Sequence, residues 1–289
     1  MKRNFIIIIL FANLTLACSL TTKVVDTVEG VIPFVERVIQ KFSPDETAAP
    51  PVVVSPDNLN QVEMEALTGD LYDGLVAHFP FDGEVYEDQS GLLSEGINLT
   101  STADRFNNPN SALTFNGVNS FIEVQDSNLL DLTGDFTIAF FIKGNPETDH
   151  EWLIISKHQA GVCQPVNTSW MIRYDKEVGL RFVNYDTSVE CGKVILANPY
   201  VDLLDGQWYH VAFVNSEADG FLNLYINGIN IMNVSNADLN IGNNDIPLII
   251  GNQYQGTPQH ALDATLDDLY IYNRALDYEQ ILALSQIGK

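Results

Sequence analysis

The run Thr265-Leu-Asp-Asp-Leu-Tyr-Ile-Tyr-Asn-Arg-Ala-Leu276 constrains this chain most, because two acidic residues head what otherwise reads as a buried β-strand. Side chains alternate faces along a strand, so strict alternation puts Asp267 with Leu269 and Ile271, and Asp268 with Tyr270 and Tyr272. Whichever face packs, a carboxylate goes with it. A buried carboxylate is stable only with hydrogen bonds, a cation or a metal as partner.

From residue 74 onward the pattern is short strands between turn signals, with no helical periodicity until the end, which predicts an all-β sandwich rather than a βαβ fold. Phe221-Leu-Asn-Leu-Tyr-Ile-Asn-Gly-Ile-Asn-Ile-Met232 alternates around Asn227-Gly228, a strong hairpin signal. Asp135–Lys143 and Trp208–Val214 are richer in apolar residues and read as central strands. The tail from Asp277 to Ser285 opens on an N-cap residue and carries Ile281, Leu282 and Leu284, so a short closing helix is expected.

Eight segments between residues 74 and 276 form an ordered set. They are Gly74-Leu-Val-Ala-His-Phe-Pro-Phe-Asp-Gly83, Asp88-Gln-Ser-Gly91, Ser111-Ala-Leu-Thr-Phe-Asn-Gly117, Phe121-Ile-Glu-Val124, Asp135–Lys143, Gly206-Gln-Trp-Tyr-His-Val-Ala-Phe213, Leu222-Asn-Leu-Tyr-Ile-Asn-Gly228 and Leu248-Ile-Ile-Gly-Asn252. With the closing strand they resemble the laminin-G-like jelly rolls of the concanavalin A-like lectin/glucanase superfamily. The resemblance implies a two-sheet antiparallel jelly-roll sandwich. It also implies a calcium site joining the first-strand loop to the closing strand, with Asp82, Asp88, Asp267 and Asp268 at the matching acidic positions. Calcium takes six to eight oxygen ligands from carboxylates, carbonyls and water, which such residues supply. This chain departs from the family where Leu92-Leu-Ser-Glu-Gly96 follows Ser90-Gly91, and at Ala264, where a glycine is usual.

The N-terminus has its own logic. Residues 1–17 show a basic start, an apolar core and a small residue before Cys18, the layout of a bacterial lipoprotein signal ending Leu16-Ala17-Cys18. Lipidation of Cys18 is therefore expected, with an extracytoplasmic, membrane-anchored location. Cleavage leaves Cys163 and Cys191 as the remaining cysteines in an oxidising compartment, so they are expected to form a disulfide. Residues 18–73 read as a tether, with a candidate amphipathic helix over 23–42 and then a proline-rich linker. The jelly roll occupies 74–289.

The formal charge of −24 argues against nucleic acid and against charge-driven docking on an anionic lipid surface. Membrane attachment then rests on the lipid at Cys18. Glu147-Thr-Asp-His-Glu151 formally matches the Glu-x-Asp-x-Glu arrangement of β-glucanases, but it follows Gly144-Asn145-Pro146 in a polar stretch and is expected to be a solvated loop. None of His78, His150, His158, His210 and His260 has zinc-enzyme spacing, and His210 is expected to be a hydrogen-bonded structural residue. Trp152, Trp170, Tyr174, Tyr185 and Tyr254 are aromatics expected in core or rim, and no residue is assigned a catalytic role. The expectation is a non-catalytic carbohydrate-binding module supported by calcium, with a protein-binding adhesion or scaffolding module as the second reading and a glycan-cleaving enzyme as the third.

Overall fold

The computed structural model describes residues 71–83, 91–158, 168–184, 193–198, 201–239, 241, 243–254, 256 and 258–287, all within the unit formed by residues 60–289. The signal 1–17, Cys18, the helix expected over 23–42, Asp88, Cys163, Tyr185 and Cys191 lie outside them. Fifteen strands and one α-helix are present among the described residues. In order they are β1 (Leu75–Phe79), β2 (Ser94–Ile97), β3 (Thr100–Thr102), β4 (Ala112–Asn116), β5 (Phe121–Val124), β6 (Phe136–Gly144), β7 (Trp152–His158) and β8 (Thr168–Asp175). There follow β9 (Gly179–Asn184), β10 (Lys193–Asn198), β11 (Tyr209–Ser216), β12 (Phe221–Ile226), β13 (Ile229–Ser235), β14 (Leu248–Ile250), β15 (Asp263–Tyr272) and α1 (Tyr278–Leu284). Among these residues no helix is long and apolar enough to cross a membrane.

Two antiparallel sheets result. The first runs β13-β12-β11-β6-β15-β4-β3, with β1 also paired to β15, and the second runs β10-β9-β8-β7-β14-β5-β2. Inward residues such as Phe136, Ile138, Phe140 and Ile142 of β6 meet Trp152, Trp170, Ile172 and Phe182 of the second sheet in one core. The near-continuous apolar run of β6 has a second cause, because its outer face is also covered. There Ala139, Ala212, Val214, Tyr270 and Tyr272 pack under Leu276, Ile281 and Leu284 of the C-terminal segment. A strand buried on both faces loses alternation.

The expected closing helix is α1, and Asp277 caps it in both directions. Its carboxylate accepts from the Gln280 amide at 2.9 Å, while the Gln280 side-chain oxygen accepts from the Asp277 amide at 3.0 Å. The Asn-Gly signal also corresponds to a real hairpin. Ile226 pairs with Ile229, and Asn227 and Gly228 between them take φ of 51° and 79°, the left-handed values this tight turn requires.

At the centre of β15 the alternation fails. Asp267 opposes Phe141 and Tyr270 opposes Ala139, so β15 carries one extra residue against β6, and Asp268 takes φ 45°. Ala264 and Leu266 before the bulge, and Leu269 and Ile271 after it, all join the inter-sheet core. Asp267 therefore does not share a face with Leu269 and Ile271 as strict alternation predicts. The bulge turns both carboxylates to the outer side. It lies where the opposite edge of β15 changes partner, from β4 at Asp263–Leu266 to β1 at Leu269–Tyr272.

Candidate functional site

The gap between β4 and β1 is filled by the β3–β4 loop. Asp104 braces that loop from within, its carboxylate accepting from the amides of Phe106 and Asn108 and from the Asn108 side chain, each at 2.8 Å. The brace presents Arg105 to the bulge. Its Nη1 donates to Asp267 Oδ2, and its Nη2 to Asp268 Oδ2 at 2.8 Å and to the Ile287 carbonyl at 2.9 Å. The guanidinium lies 3.8 Å from the Phe141 ring centre, and the other oxygen of Asp268 accepts from His78 Nε2 at 2.9 Å. His78 in turn stacks on Tyr270 with centroids 4.2 Å apart.

Two carboxylates thus share one guanidinium. Asp267, 3 % exposed, is pushed up to about 7 by burial and then by the charge of Asp268. Burial also opposes ionisation of Asp268, but the hydrogen bond from His78 and the charge and hydrogen bond of Arg105 outweigh it and hold its carboxyl below the usual range. Near neutral pH the pair titrates as a unit, with the charge kept on Asp268.

The same outer face holds two cavities. One, of about 370 Å³, is lined by Asp82, Asp104, Arg105, Asp267 and Asp268 among others. The second, of about 400 Å³, lies between the β3–β4 loop, β6, β11 and the end of α1, with Arg105, Phe141, Trp208, His210 and Gln286 in its lining. The residues expected to hold calcium are therefore partly brought together: Asp82 faces the first cavity with Asp267 and Asp268. The described donors do not suit a calcium ion at the aspartate pair, however. Arg105 and His78 already satisfy it, and a dication there would have to displace a nearly buried guanidinium or sit against its charge. Asp104 is spent on its own loop. Among the described residues no three His, Cys, Asp or Glu side chains converge as a metal site.

On the outer face of the second sheet, Glu151 meets a different arginine pair. Arg173 Nη2 donates to it, Arg181 approaches at 3.5 Å, and His260 Nδ1 lies 3.1 Å from its other oxygen. Glu147 and Asp149 lie in the loop before β7, Asp149 with its side chain 93 % exposed. The formal Glu-x-Asp-x-Glu match is thus not on one strand face, and its last member is already paired with arginine.

Trp152, Trp170 and Tyr174 are core residues, as expected of them. Arg105, Trp208 and Lys157 carry the polar and aromatic arrangements that reading the sequence did not single out. The signal that could have found Arg105 was scarcity, since a cation is one of the partners a buried carboxylate can take and the chain has only 14 Lys and Arg. The expectation for His210 is overturned: it is 2 % exposed and neither ring nitrogen has a hydrogen-bond partner. Its backbone is what binds, the His210 amide donating to Asn227 Oδ1 at 2.9 Å.

A profile of the Laminin_G_3 family, described as the concanavalin A-like lectin/glucanases superfamily, matches residues 116–282. No curated protein matches the sequence. Among solved structures, the fold is similar to the binding domain of Paraclostridial Mosquitocidal Protein 1, with TM-score 0.59 and 22 % identity over 74 % of this chain and 52 % of that one. It is also similar to the ligand binding domain of botulinum neurotoxin serotype D in complex with N-acetylneuraminic acid, with TM-score 0.60 and 17 % identity over 77 % of this chain and 53 % of that one. The receptor binding domain of the botulinum neurotoxin C/D mosaic serotype gives TM-score 0.58 and 17 % identity, over 75 % and 52 %. This chain spans about half the length of each, and at these identities the likeness is one of fold. The family match covers more than half of the chain, and the chain belongs to the concanavalin A-like lectin/glucanases superfamily, in its Laminin_G_3 family.

Proposed function

We propose that the domain is a non-catalytic glycan-recognition module, held at the cell surface by a lipid on Cys18. The observation that carries the reading is the state of its carboxylates. Retaining glycoside hydrolysis needs two carboxyl groups about 5 to 5.5 Å apart, one free to attack and one to deliver a proton. Here Asp267 and Asp268 are bound by Arg105, and Glu151 by Arg173, so the acidic side chains in both clusters serve to hold structure. The family supports a lectin-like role, and the similar domains are described as receptor- or ligand-binding. Anchoring is supported by Leu16-Ala17-Cys18 behind a basic start and an apolar run. Calcium is left out of this reading because Arg105 and His78 already hold the aspartate pair.

A glycan array probed with the domain, with and without chelator, tests the proposal. Retention of a defined glycan set that is indifferent to chelation, with no released sugar products, is expected. Absence of retention on any glycan, or accumulation of cleavage products, would overturn it. Adding calcium at millimolar concentration should leave the melting temperature unchanged, since an ion that bound the folded state would raise it by mass action.

A further inference from the structure

In an unbroken strand Asp267 and Asp268 would point to opposite faces. The extra residue in β15 and the positive φ of Asp268 put both carboxylates on the outer side instead. A single ion pair would need only one of them. Two carboxylates converging on one point make a place for a cation, and its occupant is the Arg105 guanidinium.

The surroundings fit that occupant. The guanidinium donates to three oxygens of kinds that calcium also takes, one from each of the Asp267 and Asp268 carboxylates and the Ile287 carbonyl. It thereby joins the β3–β4 loop to the closing strand β15 and to the segment after α1. His78 of β1 holds the other oxygen of Asp268, so the first strand is tied to the same point. Two aromatic rings lie against the guanidinium, with centres at 3.8 Å for Phe141 and 4.6 Å for Phe106. A planar, weakly hydrated cation stacks on such rings, whereas calcium takes oxygen ligands. The Arg105 side chain is 8 % exposed, and the Asp104 brace fixes the loop that carries it.

We infer that Arg105 is a built-in cation in the place of the calcium ion that the family resemblance implies, and that shortening its side chain turns this joint into a calcium site. The resemblance sets the ion between the first-strand loop and the closing strand, at Asp82, Asp88, Asp267 and Asp268. Two of those four are the acceptors of Arg105, and Asp82 lines the same cavity of about 370 Å³ as Arg105, Asp267, Asp268 and Ile287. With the guanidinium gone, the carboxylates of Asp267 and Asp268 and the Ile287 carbonyl remain as oxygen donors beside a cavity through which an ion and its waters can enter. In the wild type one fork of N–H donors does what a metal would do, with no dependence on ambient calcium. None of this depends on what the domain recognises.

Melting curves of the full-length wild type, Arg105→Ala and Arg105→Gln at pH 8, each in chelator and across a calcium series reaching millimolar concentration, provide the test. The wild type should melt at one temperature throughout. Both variants should melt lower in chelator and rise with the logarithm of calcium concentration, by about 5 °C or more at roughly a hundredfold excess over Kd. Arg105→Gln keeps more of the packing, and its amide oxygen is itself a calcium donor, so it covers the case in which Arg105→Ala does not fold without the ion. Titration calorimetry should find calcium binding in the variants and not in the wild type. Adding Asp268→Asn to either variant should abolish the response. A calcium response of similar size in the wild type, a response that survives Asp268→Asn, or variants that fold and ignore calcium would each overturn the assignment. So would failure of both variants to fold even with calcium, since the ion could not then take the place of the guanidinium.

Discussion

Replacing Arg105 by methionine is expected to lower the stability of the domain by about 3 to 5 kcal/mol at pH 8, the range for removing one partner of a buried ion pair. The variant keeps the apolar contact with Phe141 but leaves Asp267 and Asp268 side by side without the guanidinium, with His78 still bonded to Asp268. The pH dependence identifies the cause. In the wild type the folded carboxyl of Asp267 lies near 7 against an ordinary 3.8, so the folded state keeps a proton that the unfolded chain gives up. Its contribution to stability is full below about pH 4 and is lost as the pH rises through about 7. Asp268 runs the other way: its lowered value contributes stability above the unfolded pKa, lost as pH falls through the folded one. Without the guanidinium both carboxyls move up, so the deficit should be largest at pH 8 and should shrink toward pH 5. Asp267→Asn, which mimics the protonated acid, should flatten the wild-type decline between pH 5 and pH 8 and match or exceed wild-type stability at pH 8. Urea midpoints at the two pH values measure all of this. An equal deficit at pH 5 and pH 8, or one below about 1 kcal/mol as for an exposed pair, would show that the bulge does not depend on Arg105.

What the sequence displays and what it hides differ by the range of the interaction. The hairpin at Asn227-Gly228 and the Asp277 cap are written within a few residues of where they act, and both are legible. The inward strands are legible because burial repeats along each of them. The bulge at Asp268 is not, since an extra residue in β15 exists only relative to the register of β6. Nor is Arg105, which meets Asp267 from 162 positions away through a loop whose course depends on Asp104. The sequence demanded a partner for a buried carboxylate and left it open between hydrogen bonds, a cation and a metal. His210 defeated the reading for the opposite reason: a strand context implies packing, but says nothing about whether a buried ring nitrogen finds a partner.

The same demand recurs at Lys157, and its removal is the second large effect expected. β7 begins as the apolar run Trp152-Leu-Ile-Ile155 and then places Ser156, Lys157 and His158 in the same strand, all buried. Lys157, 1 % exposed, has three ammonium donors and uses each: to Asp126 at 2.7 Å, to Asp131 at 3.1 Å and to the Asn244 carbonyl at 2.6 Å. Those acceptors come from two segments, the turn after β5 and the approach to β14, so one side chain ties both to β7. Lys157→Met preserves length and much of the apolar stem, but leaves Asp131 and the Asn244 carbonyl without the ammonium that they accept from. The expected loss is about 3 to 5 kcal/mol, against about 0 to 1 for an exposed pair. Adding Asp126→Asn and Asp131→Asn to Lys157→Met removes the stranded charges and should recover a large part of it. Urea unfolding of the single and triple variants decides between the two cases. If the single variant loses less than about 1 kcal/mol, the ammonium is not what fixes these segments; if the triple variant recovers nothing, the loss comes from packing rather than from unpaired carboxylates.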